Sequence, residues 1–203
     1  MRDRFDGQIA GVGTTSGLRA VVGHWADGPW GSFADVMVET ADGHRVLLAP
    51  DERVAEFVAS TYTFDETRIQ PVGVTERSDA WAVETPSLRL DLVLGTRTGL
   101  GRLLGAVPSR VGTSPAWCTV TDPFARVLMR GVRTRGTAGN GRREWYGATD
   151  VRRIDAATGF WEGMDLGTLA PVDPPCRFGF SSTPTRPSVT RVVTTVEWPG
   201  DDR

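Results

Sequence analysis

Lysine is absent: all 23 basic residues of this 203-residue chain are arginines. A Schiff base, a pyridoxal-phosphate anchor and the phosphate-gripping lysine of a Walker loop each need a primary amine of tunable pKa, which guanidinium does not supply, so those mechanisms are excluded. Histidine and cysteine are scarce, two of each, which leaves a thin stock of conventional bases, nucleophiles and soft-metal ligands. Cys118 and Cys176 stand apart from any CxxC or neighbouring histidine, so no metal motif is present and two reduced, buried thiols are expected. No apolar run reaches the roughly 18 residues of a helical membrane span. Residues 1–7 are charged and turn-like with no apolar segment behind them, so no secretory signal is visible and a cytoplasmic protein is expected.

What is present is ordinary for a soluble protein: 39% hydrophobic and 24% charged residues, in a length that suits one domain with a sizeable core. Exclusive use of arginine also fits a GC-rich coding sequence, which lowers the meaning of each individual arginine. The charges are segregated nonetheless. Residues 1–88 carry 7 Arg and 14 acids, residues 89–143 carry 10 Arg against Asp91 and Asp122, and residues 144–203 carry 6 Arg and 9 acids. Either the acidic N-terminal part folds against this arginine block through cross-strand pairs, or the block forms a positive face for an anion. A net charge of −2 and the lack of a recognition motif argue against a nucleic-acid partner.

Strand and turn signals dominate. Residues 8–10 and 18–22 flank Gly11-Val12-Gly13-Thr14-Thr15-Ser16-Gly17, and residues 34–39 and 45–48 flank Asp42-Gly43, a strong hairpin signal. The one convincing helix lies near residues 51–62, where Val54, Phe57, Val58 and Tyr62 recur at helical spacing behind Asp51 and Glu52. Leu88, Leu90, Leu92 and Leu94 share one parity and predict a strand with one wet face. A short, glycine-weakened helix is expected over 100–106. Strands over 127–135 and 142–148 are expected to bracket a long hairpin tip at 136–141. A further turn is expected at Ala157-Thr158-Gly159, an irregular proline-rich loop over 171–188, and a last strand over 189–198.

Many short strands with few helices predict a mainly β, single-domain antiparallel fold, a barrel in preference to a sandwich because closure removes exposed edges. In general architecture the pattern is similar to that of lipocalin-like (calycin) proteins, although no motif of that family is present to transfer residues.

Candidate sites are weak signals. The glycine run at 11–17 reads GxGxxxG without a βαβ context, and is expected to be a hairpin loop rather than a dinucleotide site. Residues 96–102, with Arg97 and Arg102, would make a better anion cradle. Arg133 and Arg135 share a strand face and need a screening negative charge, and Trp145-Tyr146 follow, one ring expected in the core and the other exposed beside the guanidiniums. Trp117 and Trp161 would line a cavity or fill the core. His24 with Asp35, Cys118 with His24, and pairs among Glu144, Asp150, Asp155, Glu162 and Asp165 are the acid–base or nucleophilic combinations available, with no GxSxG elbow. Neither a metal site nor a cofactor is expected.

Three functions follow. The leading one is a non-catalytic β-barrel that holds a small, partly apolar, anionic ligand with Arg97, Arg102, Trp117, Arg133, Arg135, Trp145 and Tyr146 as contacts. The second is a cofactor-independent, hydratase- or isomerase-like enzyme, recognisable by a titratable group of shifted pKa held in a cavity. The third is a protein interaction module. The binding reading requires a hollow interior and arginines not neutralised by the chain's own acids.

Overall fold

A computed structural model describes residues 2–128, 133–137, 141–179 and 182–198, with the backbone alone for 124–128 and 137. In chain order the elements are β1 (Arg2–Thr14), β2 (Arg19–Asp27), β3 (Phe33–Glu39), β4 (Arg45–Ala49), α1 (Glu52–Ala59), β5 (Glu66–Ile69), β6 (Gly73–Glu76), β7 (Ala80–Glu84) and β8 (Leu88–Arg97). There follow α2 (Gly99–Gly105), α3 (Ser109–Gly112), α4 (Pro115–Leu128), β9 (Arg135–Thr137), β10 (Arg143–Trp161), β11 (Met164–Asp165), β12 (Leu169–Ala170) and β13 (Ser188–Glu197).

The chain is mainly β. Ten strands form one curled path, β5-β4-β3-β2-β1-β13-β10-β8-β7-β6, with β9 and β11 paired to β10 and β12 to β1. Among the described strands, β4 and β5 are the pair that runs parallel. Successive strands of this path neighbour one another and β1 adjoins β13, as in an up-and-down barrel, but the curl ends at β5 and β6 without pairing them and β4 and β5 run parallel, so the described sheet is a half-barrel and not a closed lipocalin-like one.

Alternation along the strands decides which faces are buried. Leu88, Leu90, Leu92 and Leu94 all turn inward, as their parity predicts, and meet Val12, Val22, Val36, Val38 and Leu48 from the other half of the curl. Trp81 and Trp161 lie in the same core, so the interior is filled rather than hollow. Strands β1–β4 bury their second face as well. Phe33, Met37, Leu47 and Ala49 pack beneath α1, whose Val54, Ala55 and Val58 face them, and Val21 packs beneath Val172, Cys176 and Phe178. Each fully buried aliphatic side chain of this second layer contributes roughly 1.5–3 kcal/mol.

Several turn signals are realised. Gly17 and Gly43 both adopt positive φ, +87° and +90°, in the turns that join β1 to β2 and β3 to β4; the connection expected over 11–17 is shorter than that, because Gly11 to Thr14 belong to β1. Asp51 caps α1 by accepting from the Val54 N–H at 2.9 Å, and the described residues between Pro171 and β13 form neither helix nor strand. Other expectations are corrected. The turn expected at 157–159 is uninterrupted β10: a Cβ at Gly159 would lie 2.2 Å from the Arg89 carbonyl oxygen, so this glycine permits a close approach to β8, and the chain turns instead at Glu162-Gly163. Residues 127 and 128, expected to open a strand, end α4, which starts with proline in its first turn and Ser114 Oγ accepting from the Trp117 N–H. Among the described residues the expected hairpin pairs over 135–137 and 143–145, and 138–140 of its expected tip lie outside them. With α3 and α4 the chain has more helix than the single convincing one expected. Among the described residues, no helix is long and apolar enough to cross a membrane.

Candidate active site

Beneath α1, on the face of the sheet opposite the filled interior, lies a cavity of about 60 Å3. That is about twice a water molecule's share of the liquid, far below the volume of a drug-sized pocket. Phe5, Ile9, Val21, Trp25, Phe33 and Phe57 make its apolar wall; Asp35, Thr61, Tyr62, Glu144, Tyr146 and Thr194 supply its polar groups. Asp35 on β3 and Glu144 on β10 are separated by three strands in the sheet order, and it is the curl of the sheet that turns both toward the residues following α1. The C-terminal end of α1 places Thr61 and Tyr62, whose N–H groups both reach the Val58 carbonyl at 3.0 Å.

Asp35 is 4% exposed and takes one hydrogen bond, from Trp25 Nε1 at 3.1 Å. Gly23 opposite makes the room: a Cβ there would stand 2.5 Å from Asp35 Oδ1. Burial raises the carboxyl from 3.8 to about 7, with the indole N–H only partly opposing it.

On the other side of the cavity the hydrogen bonds run in one direction. Arg142 Nη2 donates to Thr61 Oγ1 at 2.7 Å, Thr61 Oγ1 donates to Glu144 Oε1 at 2.7 Å, and Tyr146 Oη donates to Glu144 Oε2 at 2.7 Å. A phenol has one proton, so in the 2.6 Å contact between the two tyrosine oxygens Tyr62 is the donor. Burial first, then the nearby Glu144 charge, push both phenols above their ordinary value, and Asp35 adds to the effect on Tyr62. Arg142 is 1% exposed, with its guanidinium carbon 5.0 Å from the Phe57 ring centre and 4.5 Å from that of Trp198. It also donates to Phe57 O and Ser60 Oγ. Burial lowers its pKa and Glu144 offsets part of that.

A second anchor holds the roof. Glu39, fully buried, accepts from Arg19 at 3.0 Å and from Arg177 Nε at 3.1 Å, while Arg19 Nη1 donates to Pro174 O at 2.7 Å. These bonds fasten the 171–179 segment to β2 and β3, and the Phe178 carbonyl receives the Thr63 N–H at 2.7 Å.

Of the seven ligand contacts expected from sequence, Tyr146 alone lines this cavity. Arg97 donates to Asp150 at 2.7 Å; Arg102 is exposed on α2, Trp117 is half-buried on α4, and Arg133 and Arg135 are exposed. Trp145 is buried, its indole N–H without a partner among the described residues, and its neighbour Tyr146 points the opposite way, into the hydrogen-bonded network rather than to solvent. The expected anion cradle at 96–102 spends its amide on a cap, Thr98 Oγ1 accepting from Gly101 N at 2.9 Å. His24 and Asp35 do not pair: His24 packs against Trp81 and lies 3.8 Å from Glu76, on the other face of the sheet. Among the other carboxylates, Asp150, Asp155 and Glu162 are each bound to arginine, and Asp165 accepts from the Gly167 N–H. Cys118 and Cys176 are free and buried, their thiols pushed up to about 11 and about 12 by burial.

Tyr62, Thr61 and Thr194 had no signal as site residues. Asp35 had one, because the parity Phe33, Asp35, Met37 sets a carboxyl between two apolar side chains on one strand face. A larger trough of about 470 Å3 crosses the outer face of β6–β8, but it is open and its Arg89 and Asp91 pair with each other at 3.3 Å. Among the described residues no group of three histidine, cysteine or acidic side chains could hold a metal ion.

No family model and no curated protein matches the sequence. Among solved structures, the chain is similar to an acetoacetate decarboxylase from Legionella pneumophila, at 8% identity and a TM-score of 0.46, covering 98% of this chain and 86% of that one. It is also similar to a structure titled as acetoacetate decarboxylase at 10% identity and a TM-score of 0.34, covering 96% and 84%. Likeness of this degree assigns no activity to the present chain.

Proposed function

We propose that the chain is a cofactor-independent acid–base enzyme that moves a proton within a small substrate, an isomerase-like activity, with Asp35 as the group that exchanges the proton. The observation that carries this reading is geometric: a small, aromatic-walled cavity has a buried carboxyl on one side and a directed Tyr62–Tyr146–Glu144 hydrogen-bond series on the other. Asp35 removes a proton and returns it to a neighbouring atom, for which a pKa of about 7 suits a group that must be both base and acid near neutral pH. Tyr62 sends its own proton toward Tyr146, so the face of its oxygen toward the cavity accepts a hydrogen bond and orients an O–H or N–H of the substrate. Thr61 and Arg142 hold the Glu144 end in place, and the apolar rings keep bulk water away.

The test is deuterium wash-in at carbon, followed by proton NMR in heavy water, over a panel of small carbonyl compounds, amides and amidines. Wild-type protein is expected to exchange at least one of them, and Asp35→Asn to slow that exchange by on the order of 10²–10⁴-fold. Absence of exchange across the panel, or an unchanged rate in Asp35→Asn, overturns the reading. Binding without turnover is the second reading, favoured by the aromatic wall; it would use this cavity and not the exposed arginines.

A further inference from the structure

We propose that the cavity beneath α1 takes a small organic cation with N–H donors, of the amidinium or short alkylammonium class, and that Thr194 is a direct contact of that guest. The inference rests on the preceding reading of the cavity as the site and extends it to the class of substrate. Two carboxylates and six aromatic rings line the space, and among the described residues no arginine or histidine does. Buried carboxylates are ordinarily paired with a cation, and the hydrogen bond found for Asp35 comes from a neutral indole. Glu144 differs, since Arg142 stands one hydroxyl behind it. Asp35 therefore has a counter-charge supplied by nothing on the described chain, and a cationic guest supplies it. The rings add attraction for a cation over their faces.

Thr194 is the independent observation. It lies between Phe5 on β1 and Tyr146 on β10 in the sheet register, is 5% exposed, lines the cavity, and its hydroxyl has no hydrogen-bond partner among the described residues. A buried hydroxyl without a partner is uncommon, and a guest N–H completes it. The Tyr62 oxygen, whose proton is directed to Tyr146, accepts a second N–H. The ionisable groups that face Asp35 are Tyr62 from the end of α1 and Tyr146 and Glu144 from β10, with Arg142 behind Glu144. None of these is a cation in contact with Asp35. Carboxyl burial gives the site a signed pH response: below about 7 a proton occupies the position that the guest's charge would neutralise.

Acetamidinium, acetamide and acetate have nearly the same shape and charges of plus one, zero and minus one. Their affinities, measured by calorimetry on the full chain between pH 5.5 and 8.5, test the proposal. Acetamidinium is expected to bind at least tenfold tighter than acetamide at pH 8, with acetate the weakest. Its affinity falls toward tenfold per pH unit below 7, with a proton released on binding in that range. Thr194→Val, which keeps the shape, is expected to weaken acetamidinium several-fold while leaving the unfolding midpoint of the empty protein unchanged or higher, because it removes an unsatisfied buried hydroxyl. No binding of acetamidinium, equal binding of acetamide, a pH-independent affinity, or an unaltered affinity in Thr194→Val each overturns the proposal. Cation binding without deuterium wash-in would remove the enzyme reading alone, and wash-in of neutral compounds with no cation preference would remove the present inference alone.

Discussion

Asp35→Asn is expected to stabilise the protein, and by an amount that depends on pH. In the unfolded chain the carboxyl titrates near 3.8, and in the folded protein near 7. Below pH 3.8 it is protonated in both states and adds no penalty. Between those values the unfolded chain has released a proton that the folded protein keeps, so stability falls as pH rises; above 7 both states are ionised and the penalty is constant. At about 1.4 kcal/mol per pH unit, the interval between 3.8 and about 7 amounts to about 4 kcal/mol, an order-of-magnitude figure for a fully buried group. Asparagine keeps an oxygen for the Trp25 N–H and has no charge to desolvate. Urea unfolding of both proteins between pH 5 and 9 should show the variant's advantage growing from pH 5 to 7 and then level. Two curves that run parallel across this range would refute a buried, unpaired carboxyl at position 35.

Two further outcomes are expected. Glu39→Gln leaves the buried Arg19 without an anionic partner and loosens the 171–179 segment, a loss of roughly 3–5 kcal/mol by urea unfolding; a loss under about 1 kcal/mol would mean that water reaches the pair. Gly159→Ala sets a methyl group against the Arg89 carbonyl, so the amides along β8 and β10 should lose hydrogen-exchange protection, whereas unchanged protection would contradict the close approach of those strands.

The sequence makes alternation visible and long-range register invisible. Leu88 to Leu94 reveal their inward face because one face stays wet, and Asp42-Gly43 reveals its hairpin because positive φ is local chemistry. Gly159 misleads because a glycine needed for a close strand approach looks the same in sequence as one needed for a turn. The arginine block between 89 and 143 draws attention by number, yet Arg97 pairs with an acid more than 50 residues later and Arg142 disappears between two rings, contacts that depend on the final fold. The candidate site joins residues 35, 61, 62, 144, 146 and 194, which no window of sequence contains. Asp35 carries a readable trace as the polar residue between Phe33 and Met37 on one strand face, and Glu144 and Tyr146 are noticed for their neighbours in sequence, whereas Thr61, Tyr62 and Thr194 leave none.

Strand β1, at the centre of the sheet, adjoins β13, with Arg2 opposite Glu197 and Gly11 opposite Ser188. On the ribosome, residues 2–14 must therefore wait for residues 188–197 before either has its full complement of neighbours, and Thr194 is among the last parts of the pocket to be synthesised. Closure of so long a loop makes assembly slow, since ordering entropy is spent before the contact rewards it. A guest that occupies this cavity would hence act as a reporter of complete folding: neither half of the molecule, separated between β8 and β10, contains the whole of it, since Asp35 and the aromatic wall lie in the first half and Glu144, Tyr146 and Thr194 in the second.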